Sequence, residues 1–514
     1  MGTIRRITFL FLPFVLLVFP LVVGYILNVA LKFSSTDFVL GMYFFVLIVY
    51  ITVQYTVALL HRRHINRLDH GDYSQKVSIL VVGYKENREY FDACVSSIKC
   101  LSYPSIENIV FVNDGDDPSS AYMNDIFNNV FSDSGSGGRR TRCISIPHAG
   151  KRHAMYRGFQ EIECDNSEYI FTLDSDTILK PDCIERLVDR IQSGHTGGVT
   201  GNVKIFNTHS VVSLLSSLRY WFAFNIERAA QSYFGVVSCI SGPLGLYRKD
   251  LILDSKRDWI NQTFFGKECS YGDDRHLTFQ VLKRGYAVGY THLAEAYTET
   301  PTGVTRWFKQ QTRWNKSSIR ELKWIINTLD NHSFWLALEL VYISIYHFIV
   351  LGSLLYIIWG KDFFYIVTWF SVIFVLSLSK SVVPAIIERD LSFLLYPVYN
   401  IVFILGFIPS KFYAMLTISD TSWGTSNRLA LLSSVDLSTI GPLVSWSLFL
   451  LSGFLFSGIY TSHWTLGLLV YTVVVVCVYS VWCLLAVVVS RCGRMGLAFV
   501  LNLYDLQLKE SLVV

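Results

Sequence analysis

Charge is scarce in this sequence. Of its 514 residues only 16% are Asp, Glu, Lys or Arg, against about 25% in an ordinary soluble domain. A disordered chain needs low hydrophobicity, and here 52% of residues are hydrophobic, so disorder is excluded. The ten cysteines form no C-x-x-C pair, and the chain is far too long for a small disulfide-stapled secreted scaffold. No internal repeat is present. The shortage of charge is also uneven. Between His61 and Asp330, 64 of the 84 charged residues fall in 270 positions, or 24%, while the other 244 positions hold 20, or 8%. A block of ordinary soluble composition, long enough for its own core, is thus set inside a membrane protein.

A bilayer core of about 30 Å needs about 20 apolar residues in a helix. Seven stretches qualify: Phe9–Leu31 and Phe38–Leu60, then Phe334–Ile358, Phe364–Ile387, Phe393–Ile418, Ile440–Tyr460 and Leu466–Val489. The first is too long for a signal-peptide core and lacks a small-residue cleavage site. Arg5 and Arg6 precede the first stretch, Arg62, Arg63 and Arg67 follow the second, and Arg491 and Arg494 follow the last. By the positive-inside rule both termini and the polar block are expected in the cytoplasm. That orientation needs an even number of crossings. Phe393–Ile418, with Pro397 and Pro409, is therefore expected to lie on the membrane rather than across it. The thiols of the polar block are expected to be reduced.

Within the block, Val77–Tyr84, Asn108–Asn113, Cys143–Ile146 and Tyr169–Leu173 are short apolar runs that predict buried strands. Helical spacing falls between them at Tyr90–Cys100 and Lys151–Ile162. The series predicts an α/β fold with a mostly parallel sheet and helices on both faces. Ligands sit beyond the carboxyl ends of such strands, where Tyr84, Asp114 and Asp174 lie.

Several residue groups there could carry chemistry. Asp174-Ser175-Asp176 ends a strand, and two carboxylates one residue apart suit Mg²⁺ or Mn²⁺ that keeps positions free for substrate phosphates. Taken alone, a D-x-D is more often a solvated turn. Asp114 could accept a hydrogen bond from a base or ribose, or mark a plain Asp-Gly turn. Lys151-Arg152 opens a helix with charge suited to a diphosphate. Gly272-Asp273-Asp274-Arg275-His276 opens another, where an Asp is either a cap or a general base for a sugar hydroxyl. Cys269 just before it is more often a small buried residue than a reactive thiol. Arg306, Lys309, Arg313, Lys316, Arg320 and Lys323 alternate at spacings of three and four, one stripe of a helix. Lys316 to Lys323 are expected to meet lipid headgroups, whereas Arg313 could hold a diphosphate and Trp314 could stack on a sugar. Leu214–Phe224, around Arg219 and continuing to Glu227 and Arg228, is expected to be a membrane-surface helix.

Together these motifs resemble the processive membrane glycosyltransferases of family two, and most closely the hyaluronan synthases. GYKEN (Gly83–Asn87) resembles the first nucleotide-binding strand end. Asp114 takes the next acidic position, Lys151-Arg152 a Gly-Lys-Arg element, and Asp174-Ser175-Asp176 the metal motif. SGPLGLYR (Ser241–Arg248) and GDDRHLT (Gly272–Thr278) look almost specific to hyaluronan synthases. QQTRW (Gln310–Trp314) matches Q-x-x-R-W, and WGTSNR (Trp423–Arg428) resembles a cytoplasmic gating loop. Asn113, His153 and Asn427 depart from the family pattern.

The resemblance implies a GT-A type domain between transmembrane helices. Two helices would span 1–60, the cytoplasmic domain 61–302, an amphipathic interface helix 303–330, and a C-terminal membrane region 331–514 with an interfacial segment 393–418 and a gating loop 419–428. It implies that Tyr84, Glu86, Asp114, Lys151, Asp174, Gln310, Arg313 and Trp314 bind UDP, and that Asp176 with Asp174 holds Mn²⁺ or Mg²⁺. Asp274 would be the catalytic base. Cys269, Asp273, Trp314 and Arg228 would bind the acceptor, and Trp423, Gly424 and Thr425 would gate. The implied partners are UDP-GlcNAc, UDP-GlcA, nascent hyaluronan and the lipid bilayer, with no nucleic acid and no need for an oligomer. The plasma membrane is the expected site. The implied activity is inverting, processive transfer coupled to secretion, with Lys380 as a cationic channel residue. The nearest alternative is a chitin-synthase-like β-1,4-GlcNAc polymerase. A non-processive lipid glycosyltransferase and a carbohydrate transporter or receptor are further ones.

Overall fold

A computed structural model describes residues 35–132, 140–359, 363–420, 444–453 and 455. The predicted spans at 9–31 and 466–489, both ends of that at 440–460, and Trp423, Gly424 and Thr425 of the predicted gating loop lie outside the described residues.

Apolar runs become strands as expected. Strand β1 (Val77–Gly83) is buried along its whole length and pairs in parallel with β2 (Ile106–Asn113) and β4 (Tyr169–Asp174). Strand β3 (Arg140–Ser145) adds to β2, again in parallel. Two further long strands, β6 (Thr196–Ile205) and β10 (Ala287–Thr298), pair in parallel with each other. Between the halves runs β7 (Gly245–Arg248), antiparallel to both β4 and β6. The two-residue β5 (Ile178–Leu179) closes the far edge, so the order is β3-β2-β1-β4-β7-β6-β10-β5. The sheet is therefore mostly parallel, with β7 reversed at its centre and β5 antiparallel to β10 at its edge, while β8 (Thr263–Phe264) and β9 (Lys267–Glu268) form a separate small pair. The Lys151–Ile162 helix packs so closely on β1 that a Cβ on Gly158 would run into Leu80. The Arg88–Lys99 helix starts at Asn87, whose side chain accepts from the Glu89 and Tyr90 N–H groups, an N-cap of the ordinary kind.

Among the described residues, four helical stretches are long and apolar enough to cross a membrane: Phe45–Ile65, Phe334–Trp359, Trp369–Glu388 and Leu391–Leu416. The last is broken by a π-helical turn at Phe403–Phe407, and its final helix, Ile408–Leu416, packs along the Val304–Ile325 helix. One continuous apolar core joins sheet and membrane helices, running from Val77 and Phe171 through Trp307 to Trp335 and Tyr399.

Two expectations about amphipathic segments need correction. Lys316 and Arg320 do not face headgroups. Lys316 Nζ reaches Asp420 at 3.1 Å, and Arg320 donates to the Tyr271 hydroxyl at 2.7 Å and to the Ile418 and Asp420 carbonyls at 2.9 and 3.0 Å. Nor is Leu214–Phe224 a surface helix. The Val211–Phe222 helix buries Leu215, Leu218 and Phe222 in the core, and Arg219 pairs inward with Glu227 at 2.8 Å. In both cases groups of the protein itself, Asp420 for Lys316 and Glu227 for Arg219, supply the charge that lipid was expected to supply.

Candidate active site

The carboxyl ends of β1, β2 and β4 open on a cavity of about 1000 Å³. Every predicted site residue among the described residues borders it: Tyr84, Glu86 and Asp114 from the first two strand ends, Lys151, Asp174 and Asp176 beside them, Arg228, Cys269, Asp273 and Asp274 opposite, and Gln310, Arg313 and Trp314 from the Val304–Ile325 helix. The cavity does not stop at the catalytic domain. It continues past Arg219 and Glu227 to Glu339, His347, Lys380 and Lys411 in the apolar helices.

At the end formed by β1 and β2, Asp114 is only 2% exposed. Its carboxylate accepts from the Ala149 N–H at 2.9 Å and the Gly150 N–H at 3.0 Å, and His148 Nδ1 lies 3.0 Å away. Burial raises its pKa against the pull of these donors. Glu86 is buried and accepts from the Ser175 hydroxyl at 3.0 Å. That bond ties the first strand end to the D-x-D turn.

At the centre one ammonium holds two carboxylates. Lys151 Nζ is 2.6 Å from Asp174 Oδ1 and 3.1 Å from Asp273 Oδ2. Burial would lower the Lys151 pKa, but the two acids hold it above the usual lysine range. Asp174 is raised by burial and by the neighbouring Asp176 charge. Burial opposes ionisation of Asp273, yet Lys151 and Arg152 keep it below the usual carboxylate range. Asp273 is therefore paired with Lys151 where it borders the cavity. Asp176 is buried and accepts from Thr298 at 3.3 Å. A Cβ on Gly242 would lie 3.0 Å from Asp174 Oδ2 and 3.1 Å from Lys151 Nζ, so a side chain there would press on the pair. Arg152, expected beside the diphosphate, donates instead to the Trp259 carbonyl and to Gln262.

Asp274 sits in the first turn of the Asp273–Lys283 helix, which Gly272 enters at φ +83°. Its Oδ1 accepts from the Arg275 N–H at 2.8 Å, and its Oδ2 from the Cys239 thiol at 3.5 Å. Burial, with the Asp274 charge, pushes the Cys239 thiol up to about 12. Arg228 lies over the Phe224 ring at 4.0 Å and donates to the Cys239 carbonyl. Trp314 is 6.1 Å from the Tyr220 ring and partly exposed.

Sequence reasoning did not pick out His148, Cys239 or the Arg219–Glu227 pair. The pair is eight residues apart and spans a π-helical turn at Ala223–Arg228, so no i, i+4 spacing announces it. His148 stood next to a chosen motif, and a histidine in P-H-A-G-K was the available signal.

Whether the residues suit a divalent cation can be tested on the donor set. Among the described residues no three His, Cys, Asp or Glu converge as a complete cage. Two carboxylates on one turn, Asp174 and Asp176, leave the remaining positions to phosphate oxygens and water, which suits Mg²⁺ or Mn²⁺ at a nucleotide. The residues fit.

Residues 74–317 match the family described as Glycosyltransferase like family 2. Hyaluronan synthase 3 of Xenopus laevis is 33% identical over 475 residues, covering 84% of this chain and 83% of its own. Hyaluronan synthase 2 of Rattus norvegicus and of Homo sapiens are each 33% identical over 521 residues, covering 92% of both chains. A solved mannosyltransferase from Pyrobaculum calidifontis, in complex with GDP-Man and Mn²⁺, covers 72% of this chain and 97% of its own at 13% identity and a TM-score of 0.41.

Proposed function

The chain belongs to the hyaluronan synthase family of glycosyltransferases, and from that premise we propose which residues bind the donor, transfer the sugar and pass the polymer on. The donors are UDP-GlcNAc and UDP-GlcA. Tyr84 and Asp114 hold uracil and ribose, with Glu86 fixing the strand end. Asp174 and Asp176 hold Mg²⁺ or Mn²⁺, which when bound neutralises diphosphate charge. Lys151, Gln310 and Arg313 add donors toward the leaving UDP, whose charge grows as the glycosidic bond breaks. Asp274 takes the proton of the acceptor hydroxyl. That oxygen bonds to the anomeric carbon, UDP leaves with the bonding electron pair, and the configuration inverts. Trp314, Cys269 and Arg228 border the acceptor sugar. Asp273 keeps Lys151 in place.

One observation carries this reading: a single cavity runs from the nucleotide end past Asp274 to Lys380 and Lys411 between apolar helices. A product formed at Asp274 has a lined way onward, which suits processive transfer coupled to secretion. The catalytic domain lies in the cytoplasm and the exit faces outward through the plasma membrane.

The test incubates membranes with each UDP-sugar singly and together, with Mg²⁺, Mn²⁺ or EDTA. A long polymer that needs both sugars and a divalent cation, and that hyaluronidase cuts, is the expected result. Polymer from UDP-GlcNAc alone would instead mark a chitin-type polymerase.

A further inference from the structure

The face of Tyr84 is already covered. The His148 imidazole stacks on it, with ring centroids 3.9 Å apart and planes 16° from parallel. The same imidazole places Nδ1 3.0 Å from Asp114 Oδ2 and 3.0 Å from the Asp114 carbonyl oxygen. Planes in van der Waals contact, at about 3.5–4.0 Å, leave no room for a third ring between them. A uracil that stacks on this face of Tyr84 and donates its ring N–H to Asp114 needs the place that His148 occupies. Imidazole offers the same two features, a flat ring and a ring N–H. Asp114 cannot yield instead, because the Ala149 and Gly150 N–H groups fix its carboxylate. Tyr84 is backed by Gly115, where a Cβ would lie 3.3 Å from its ring. His148 is the movable member, with its side chain 49% exposed.

We propose that His148 stands in for the nucleobase. In the nucleotide-free enzyme it stacks on Tyr84 and bonds to Asp114, it swings into solvent when a UDP-sugar binds, and it returns as UDP leaves. The inference rests on Tyr84 and Asp114 being the uracil site. Its consequence is a donor site whose apparent affinity is reduced by the fraction of molecules that hold the closed arrangement. Product UDP meets an internal competitor, which favours its release between rounds of transfer.

The test is UDP binding to the purified full-length protein by titration calorimetry. His148→Ala is expected to tighten UDP binding about three- to tenfold, the gain from removing a competitor that fills the site in most molecules. His148→Gln keeps a donor for Asp114 without the ring and should tighten binding less; it decides the matter if the alanine variant does not fold. Unchanged or weaker UDP binding in whichever variant folds overturns the proposal. Tyr84→Ala separates this from the underlying reading. If it weakens UDP binding tenfold or more, the uracil site stands whatever His148 does. If it leaves UDP binding unchanged, the site assignment itself falls, and the stand-in with it.

Discussion

Replacing Lys151 by Met keeps the length of the side chain and removes the one ammonium that Asp174 and Asp273 share. At 2.6 and 3.1 Å and an effective dielectric constant near 20, each attraction is worth about 5–6 kcal/mol before desolvation. Most of that offsets the loss of water around the three charges. Breaking a buried pair costs about 3–5 kcal/mol in measured cases. The Lys151 and Asp174 side chains keep 23% and 28% exposure while Asp273 keeps 6%, so about 3 kcal/mol, the low end, is expected. In a domain of 150–250 residues each kcal/mol moves the midpoint by about 2–4 °C. The variant should therefore melt about 6–12 °C lower, read by tryptophan fluorescence in detergent. The double variant Lys151→Met/Asp273→Asn removes the more buried of the two stranded charges and should recover much of that loss, though not activity. A single variant within about 2 °C of wild type, or a double variant no more stable than the single, would refute the reasoning.

Asp274→Asn should lower UDP release from both donors by about 10²–10⁴-fold while leaving UDP affinity unchanged; turnover within tenfold of wild type would remove Asp274 from the base role. Gly242→Ala brings a methyl to 3.0 Å from Asp174 and 3.1 Å from Lys151. Overpacking there should cost about 1–3 kcal/mol and at least a tenfold loss of turnover, and full activity in that variant would show that the pair can shift freely. Lys380→Ala should change polymer length more than it changes the rate of UDP release; identical product sizes would count against a contact between Lys380 and the chain in transit.

Much of the catalytic half could be read from the sequence because buried parallel strands write themselves as continuous apolar runs. The candidate site residues then follow at the run's end, as Tyr84, Asp114 and Asp174 do. The Lys151–Ile162 helix also runs where its spacing placed it. The reversed strand β7 was not legible, since Gly245–Arg248 is four residues long and begins with glycine. A basic stripe was misleading for a different reason. Helical spacing tells which cations share a face, not what that face meets. Arg320 meets Tyr271 and the carbonyls of Ile418 and Asp420, partners 49 to 100 positions away in sequence. The His148 stack on Tyr84 likewise depends on β1 and the chain after β3 arriving at one place.

The low charge of the membrane portion takes on a sharper meaning once the cavity is known. An ionisable side chain within apolar helices is costly unless it faces water or a partner. Glu339, His347, Lys380 and Lys411 each belong to such helices, and each lines the cavity. Glu339 accepts from the Tyr50 hydroxyl at 3.2 Å and from Gln231 at 3.4 Å, which links a membrane helix to the segment that carries Arg228. Glu388, by contrast, accepts from the Trp221 indole at 2.9 Å and lies 3.7 Å from Lys204, a tether between the catalytic domain and the end of its helix. These charges thus do two jobs: some tie the apolar helices to the catalytic domain, and others line the cavity that Asp274 also borders. A polymer with a carboxylate on every second sugar would meet Lys380 and Lys411 along that cavity, with Arg219 already neutralised by Glu227 at 2.8 Å.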